Sequence, residues 1–474
     1  MKTLLLGVSS FVIASGCAAA DIAEMSCGIS NQKSVAVTVY NGGFGVVRDE
    51  REMTVPVGSV NLKFMDIAER VQPETVRITP LSAGDKLRVI EQNYEYDLLS
   101  PQKLLEKYVG HDVTLIQYNE FKDARIPVEA TLLSYNDNLP IFSIDGEIVI
   151  HRPREEIRLP ALPENLVASP TLIWRLVNAF EEPQKIVATY MTGGMRWNAD
   201  YVAVLGRDDA SLDLNGWVTV NNDSGATFSD AHLVLVAGDV HREQPRNLAR
   251  GKMMFAADTA PPAPEFRQEG LFEYHMYTLD TPTTLKQNQQ KQLALLEGKG
   301  VDVTTSYRVY GQQHWYRSRT SPGMKDVPVG VYLTFTNSAA NSLGMPLPAG
   351  TVRVYKADSS GRPQFVGEDG IDHTPENEDV ELHLGNAFDV VAERVQTSYR
   401  KLGDNTTETA WKVTLRNHKD GDVVVTVVEP FNGDWSILDS SLPYVKKTAF
   451  SAEFSVPVKA NGETMLTYRV SVRR

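Results

Sequence analysis

The chain has 474 residues, with 47 Lys and Arg against 60 Asp and Glu, 33 glycines, 25 prolines and two cysteines. At about 100–200 residues per domain, that length predicts two to four domains, each able to bury its own core. A hydrophobic content of 42% excludes a disordered chain, and the positions of Cys17 and Cys27, both near the start, exclude a disulfide-stapled scaffold. A formal charge of −13 argues against a phosphate-binding surface, so nucleic acid is excluded as the main partner.

Residues 1–20 read as a signal peptide. Lys2 precedes an apolar run from Leu4 to Ala14, and small residues follow from Ser15 to Ala20. The run is shorter than the roughly 20 apolar residues that a spanning helix needs. Two processing routes are open. Ala18-Ala19-Ala20 before Asp21 suits simple cleavage, whereas Ala14-Ser15-Gly16-Cys17 resembles a lipoprotein box in which Cys17 is lipidated. Either route leaves Cys27 as a lone thiol in a flexible lead over 21–33, and predicts a periplasmic or secreted protein, or one lipid-anchored in the outer membrane. Membrane contact is expected only if Cys17 is acylated.

From Ser34 the period is two. Val35, Val37 and Val39 alternate up to the turn formers Asn41-Gly42-Gly43, and short β-rich runs recur at 60–64, 75–78, 87–90, 113–116, 130–133 and 147–150. One short helix is signalled: Ser100-Pro101 opens it and Gly110 closes it. Residues 285–296 fit a solvated strand or a loop as well as a helix. Between 244 and 270 the chain is rich in Pro and Ala without an apolar period, which reads as an insertion. The fold class expected is all-β, a multi-module β-sandwich with few short helices: an N-terminal β-module over 34–160, a central sandwich part over 161–243, and a C-terminal sandwich part over 271–474.

One pattern repeats. Apolar-Thr-apolar-x-Asn occurs at Val37–Asn41, Val218–Asn222, Leu333–Asn337 and Val413–Asn417, with a looser copy at Trp174–Asn178. Residues two apart share a face of a strand, so the apolar pair is expected in the core, Thr outside, and Asn ending the strand by bonding nearby backbone. Trp217, Tyr332 and Trp411 are expected to add bulk to the layer between sheets.

Longer segments carry a family resemblance. Asn93–Leu99, Met191–Tyr201, Gly216–Asn222, Leu235–Val240, Leu347–Tyr355, Gly367–Asp369, Asp372–Pro375, Asn417–Lys419 and Tyr468–Val470 together resemble the bacterial family called domain of unknown function 4139. Some relatives are described as mucoidy-inhibitor-like and carry a coiled coil, which this chain lacks. The resemblance supplies no activity and no catalytic residue.

Motifs of hydrolases, phosphate loops and zinc proteases are absent from the sequence, and Asn41-Gly42-Gly43-Phe44-Gly45 reads as a hairpin turn. Two constellations remain. The first is acidic: from Glu368 to Glu381 there are seven carboxylates, His373, and no Lys or Arg. Glu368, Asp369, Asp372 and His373 are candidate ligands for a hard cation, as in a metal-dependent hydrolase; alternatively Asp372, His373 and Thr374 form a hydrogen-bonded turn before Pro375. The second is Gly193-Gly194 with Arg196, Trp197 and Tyr201, read either as a stacking platform for sugar or peptide, or as a glycine kink with both rings in the core and Arg196 paired with Asp200 or Glu182. No cofactor is implied and no catalytic residue is assigned. The expected role is a non-catalytic structural or interaction module, whose partner is an envelope protein or a polysaccharide.

Overall fold

In a computed structural model the described residues are 22–95, 100–119, 123–136, 139–150, 156–161, 169–238, 240–241, 266–320 and 324–474. The signal peptide with Cys17, and most of the Pro/Ala-rich segment, lie outside them. Strand makes up 66% of the structure and helix 6%, so the chain is all-β with several sheets. The described residues divide into two compact units that interleave in sequence: those up to 37 and within 46–193 and 223–231 form one, and those within 38–45, 194–222 and 232–474 the other.

The first unit holds two open sheets. In one, Ala23–Cys27 runs parallel to Gly58–Phe64, which pairs antiparallel with Thr171–Asn178, itself paired with Leu87–Glu95. The lead expected to be flexible is therefore partly strand, and Cys27, at its end, is buried. Burial pushes the Cys27 thiol up from its ordinary range. The other sheet is an antiparallel meander in the order Glu147–Ile150, Leu139–Ile144, Ala124–Asn136, Asp112–Asn119, Glu156–Arg158. Its inward side chains Val113, Leu115, Ala130, Leu132 and Phe142 form a small core. The helix Pro101–Lys107 closes that core with Leu105, and Ser100 caps it, its Oγ accepting from the Lys103 amide at 3.1 Å.

This unit also buries a charge pair. Val47, Asp49, Arg51 and Met53 alternate inward along Phe44–Met53, so two charged side chains face the core. Arg51 donates to Asp49 at 2.8 and 3.1 Å and to the carbonyls of Cys27 and Met65 at 2.9 and 2.8 Å; its guanidinium lies 3.8 Å from the centre of the Phe64 ring. Each arm of the guanidinium has a partner, which offsets its removal from water.

The second unit contains a five-stranded sheet in the order Gln289–Asp302, Ser211–Asn222, Met195–Leu205, Gly350–Ala357, Pro363–Ile371. The stretch 285–296, ambiguous in sequence, falls largely on the edge strand Gln289–Asp302, whose burial alternates in part. A hairpin of Phe266–Leu271 and Tyr274–Leu279 follows the Pro/Ala-rich stretch, so the last residues of the expected insertion are strand. The C-terminal part is a sandwich. One sheet runs Asp379–Asn386, Gly330–Thr336, Thr304–Tyr310, Val423–Pro430, Ser451–Val458, Tyr444–Thr448; the other runs Met324–Val327, Val390–Lys401, Thr406–Asn417, Gly462–Arg473, Asp434–Ser440. Trp411, Val413, Leu415, Phe431, Phe454 and Val470 are among the side chains that fill it.

The strand-end asparagines behave as expected in four of the five copies: Asn178, Asn222, Asn337 and Asn417 are buried and donate to backbone carbonyls. The threonines depart from expectation at two sites. Thr219 and Thr414 are buried; Thr414 lies in register between Glu393 and Met465, whose longer side chains stand beside it on the same face. Of the three aromatics, Trp411 joins the core. Tyr332 instead stacks on His383 on the opposite face from Leu333 and Phe335, and Trp217 is half-buried.

Candidate functional site

Along Met195–Leu205 the pleat turns Met195, Trp197, Ala199, Tyr201 and Ala203 inward, and Arg196 and Asn198 outward. Trp197 is 3% exposed and Tyr201 0%. The stacking platform is thereby corrected, because neither ring face can meet a ligand while it is packed inside. The Trp197 indole donates to the Val236 carbonyl at 3.2 Å, and the Tyr201 hydroxyl to the Pro348 carbonyl at 2.8 Å. Tyr201 needs small neighbours: a Cβ on Gly350 would come within 2.3 Å of the Ala199 carbonyl oxygen and 3.1 Å of the Tyr201 ring. Arg196 remains exposed, and Asp200 is held not by it but by Arg353, at 3.1 Å.

The acidic run is not one loop. Glu368 and Asp369 lie on Pro363–Ile371, Asp379 and Glu381 on Asp379–Asn386, and the rest in the connection between them. Glu368 pairs with Arg353 at 3.2 Å, Asp369 accepts from the amides of Gly370 and His383 at 2.9 and 2.8 Å, and Glu381 takes both arms of Arg308. Among the described residues no cluster of three or more His, Cys, Asp or Glu is placed to hold a metal ion. The cation site expected from Glu368, Asp369, Asp372 and His373 is corrected accordingly: two of its carboxylates are spent on an arginine and on backbone amides. The alternative turn is present. Thr374 Oγ1 donates to the Asp372 carbonyl at 2.9 Å, Thr374 and Leu347 exchange backbone hydrogen bonds at 2.8 and 2.9 Å, and His373 Nδ1 accepts from the Ala349 amide at 3.1 Å.

That turn forms one side of a cleft of about 190 Å³. His373, Thr374 and Pro375 line it together with the hairpin residues Glu273, His275 and Tyr277, with Pro346 and Leu347, and with Ala237 and Gly238. Its floor is fixed from inside. Tyr277 donates to the Pro346 carbonyl at 2.8 Å and meets Trp197 edge to face at 6.3 Å, while Asn337 donates to Met345 and Pro375 carbonyls at 2.9 and 3.0 Å. Burial raises the Tyr277 and Tyr201 phenols well above their ordinary values, so both stay protonated donors. Trp197 and Tyr201 thus position the cleft rather than enter it. His373 is the candidate site residue that reaches it; Glu368, Asp369 and Asp372 do not line it.

His275 and Glu273 were not marked by any sequence motif. Glu273 is the second residue of the hairpin turn and His275 lies just beyond it on Tyr274–Leu279; the first turn residue, Phe272, is 92% exposed and held at φ 56°. An aromatic residue in the left-handed region is a steric outlier, of the kind that gathers at binding surfaces. The local signal was the Leu271-Phe272 pair next to Glu273, an apolar tip where turn formers are usual. A scan against protein-family models finds no match to this chain, and a search of curated proteins finds none either.

Proposed function

We propose that this chain is an exported bacterial envelope protein that acts as a non-catalytic structural or interaction module, a member of the domain of unknown function 4139 family. The observation that carries the reading is the use to which its most reactive-looking residues are put. Glu368, Asp369, Glu381 and Asp200 are engaged by arginines and backbone amides of the same unit. Groups so engaged stiffen a scaffold and are poorly placed to move protons or hold a catalytic metal. Rigid β-modules with an apolar cleft and an exposed aromatic tip suit recognition of another polymer. The signal-peptide pattern over 1–20 supports export, and no helix among the described residues is long and apolar enough to cross a membrane.

The test is crosslinking in intact cells, followed by purification of the tagged protein from the envelope fraction and mass determination of its N-terminus. The reading expects a reproducible crosslinked partner and a mature chain starting at Asp21 or at acylated Cys17. Replicates that yield no specific adduct, with the protein retained in the cytoplasm, would overturn it.

A further inference from the structure

The cleft between the Asp372–Pro375 turn and the hairpin has a size and a chemistry that bear on what enters it. Cofactor and drug-sized ligands occupy about 300–1,000 Å³, whereas a cavity of about 150 Å³ accepts a single benzene ring. At about 190 Å³ this cleft, open on one side, is of the size that seats one ring-sized group. Its wall of Pro346, Leu347, Pro375 and Ala237 has little to offer hydroxyl groups, and the backbone amide and carbonyl of Leu347 and the Pro346 carbonyl are already bonded. A sugar ring would find polar partners only in the side chains of Glu273, His275, His373 and Thr374, and would set the rest of its hydroxyl groups against apolar wall. An apolar ring loses nothing.

The edges are polar in a defined way. Gln268 Nε2 and His275 Nδ1 are paired at 2.8 Å, which engages one ring nitrogen and leaves Nε2 for a polar group of the ligand. Glu273, exposed at the hairpin tip, contributes a negative charge, and the whole chain carries −13. Phe272, the other residue of that turn, is exposed and lies outside the cleft lining.

We infer that this cleft binds a partner peptide by one aromatic side chain flanked by basic residues, the ring entering between His373 and Tyr277 while Glu273 meets the flanking cation. The inference rests on the interaction-module reading and names the chemistry of the partner. Charge complementarity on an acidic chain would speed the encounter, and the buried ring would hold the complex.

The experiment titrates the full mature protein with acetyl-Lys-Phe-Lys-amide, acetyl-Lys-Ala-Lys-amide and acetyl-Glu-Phe-Glu-amide, followed by amide chemical shifts, with N-acetylglucosamine as a fourth probe. The Phe peptide with lysines should bind saturably, with shifts at Gly238, His275 and Thr374. Replacing its Phe by Ala, or its lysines by Glu, should each weaken binding about tenfold or more. Thr374→Trp, which fills the cleft, should abolish binding. Glu273→Lys, at an exposed turn, should weaken the Lys-Phe-Lys probe while sparing Glu-Phe-Glu, which keeps the inference testable should Thr374→Trp fail to fold. Equal affinity for the Phe and Ala peptides, indifference to Glu273→Lys, or preferential binding of the sugar overturns it. If wild type and folded Thr374→Trp recover the same crosslinked partner from cells, the cleft assignment falls while the module reading stands.

Discussion

At Asn417 one carboxamide closes several backbone groups at once. Its Oδ1 accepts from the Lys419 amide at 3.0 Å, and its Nδ2 donates to the Gly421 and Lys459 carbonyls at 2.8 and 3.2 Å, joining the end of Thr406–Asn417 to the strand that ends at Val458. Truncation strands buried polar groups, each costing about 1–3 kcal/mol. Asn417→Ala should therefore lose about 3 kcal/mol in urea unfolding, while Asn41→Ala, whose Oδ1 has no hydrogen-bond partner, should lose far less. Equal losses would show that the backbone bonds of the carboxamide are not what stabilises the strand end. The buried charges give a sharper contrast. Arg394 and Glu429 meet at 2.7 Å with both side chains sealed from water; Tyr316 donates to Glu429, Arg394 donates to Tyr468 at 3.2 Å, and Trp315 and Trp411 lie under the guanidinium. The Arg394 Nη2 contact is one of charge rather than an aligned hydrogen bond, so Coulomb attraction is its main term. Arg394→Met should cost about 3–5 kcal/mol because it leaves a carboxylate unpaired, and Arg394→Met with Glu429→Leu should cost less than either single change. Tryptophan fluorescence during denaturation reads this directly, and a double mutant worse than both singles would contradict it.

Elements announced by local chemistry were legible in the sequence, and those formed by distant pairing were not. Ser100, Pro101 and Gly110 marked a helix because caps and first-turn prolines act within one turn of chain, and the structure has it at Pro101–Lys107. Ser100→Ala should cost about 1 kcal/mol and speed amide exchange in the adjoining meander, Asp112–Asn119 and Ala124–Asn136, whose core the helix covers. Unchanged exchange there would mean that the helix is not part of that core's stability. Strand alternation likewise exposed the core faces, and the recurrent asparagine exposed strand ends. What alternation conceals is the partner: nothing near Ala23–Cys27 says that it runs parallel to Gly58–Phe64, and an inward Asp49 with Arg51 reads as surface until Phe64 and the Cys27 carbonyl are seen beside it. The same holds for the candidate site. Trp197 and Tyr201 were marked by their glycines and aromatics, yet whether such rings face a ligand or a core depends on strands far away in sequence, here those carrying Val236 and leading into Pro348. Carboxylates crowded in sequence between Glu368 and Glu381 are separated by the pleat and by two antiparallel strands, so proximity along the chain overstated proximity in space.

For the whole molecule, buried phenols set a limit on the alkaline side. Tyr190 in the first unit, and Tyr201, Tyr277, Tyr316 and Tyr468 in the second, all have their ionisation pushed upward, in each case chiefly by burial. In the unfolded chain these groups ionise near the ordinary value of about 10. Above that pH the unfolded state has released protons that the folded state retains, so stability falls as pH rises, by up to about 1.4 kcal/mol per pH unit for each phenol. Below it their contribution is fully present. The second unit, with four such groups against one, should fail first, and against a total stability of about 5–15 kcal/mol the loss should be complete within a few pH units. Far-ultraviolet dichroism and phenolate absorbance recorded together on a rising pH series would check this: the absorbance of the buried phenols should appear in the same step as the loss of β-signal. Tyr316→Phe, which removes one titrating hydroxyl, should make that step less steep, although it also deletes the bond to Glu429. Phenolate absorbance that rises to completion while the β-signal stays intact would mean that these hydroxyls reach water in the folded protein, and that the packing around Tyr201 and Tyr277, which shapes the cleft, is looser than described.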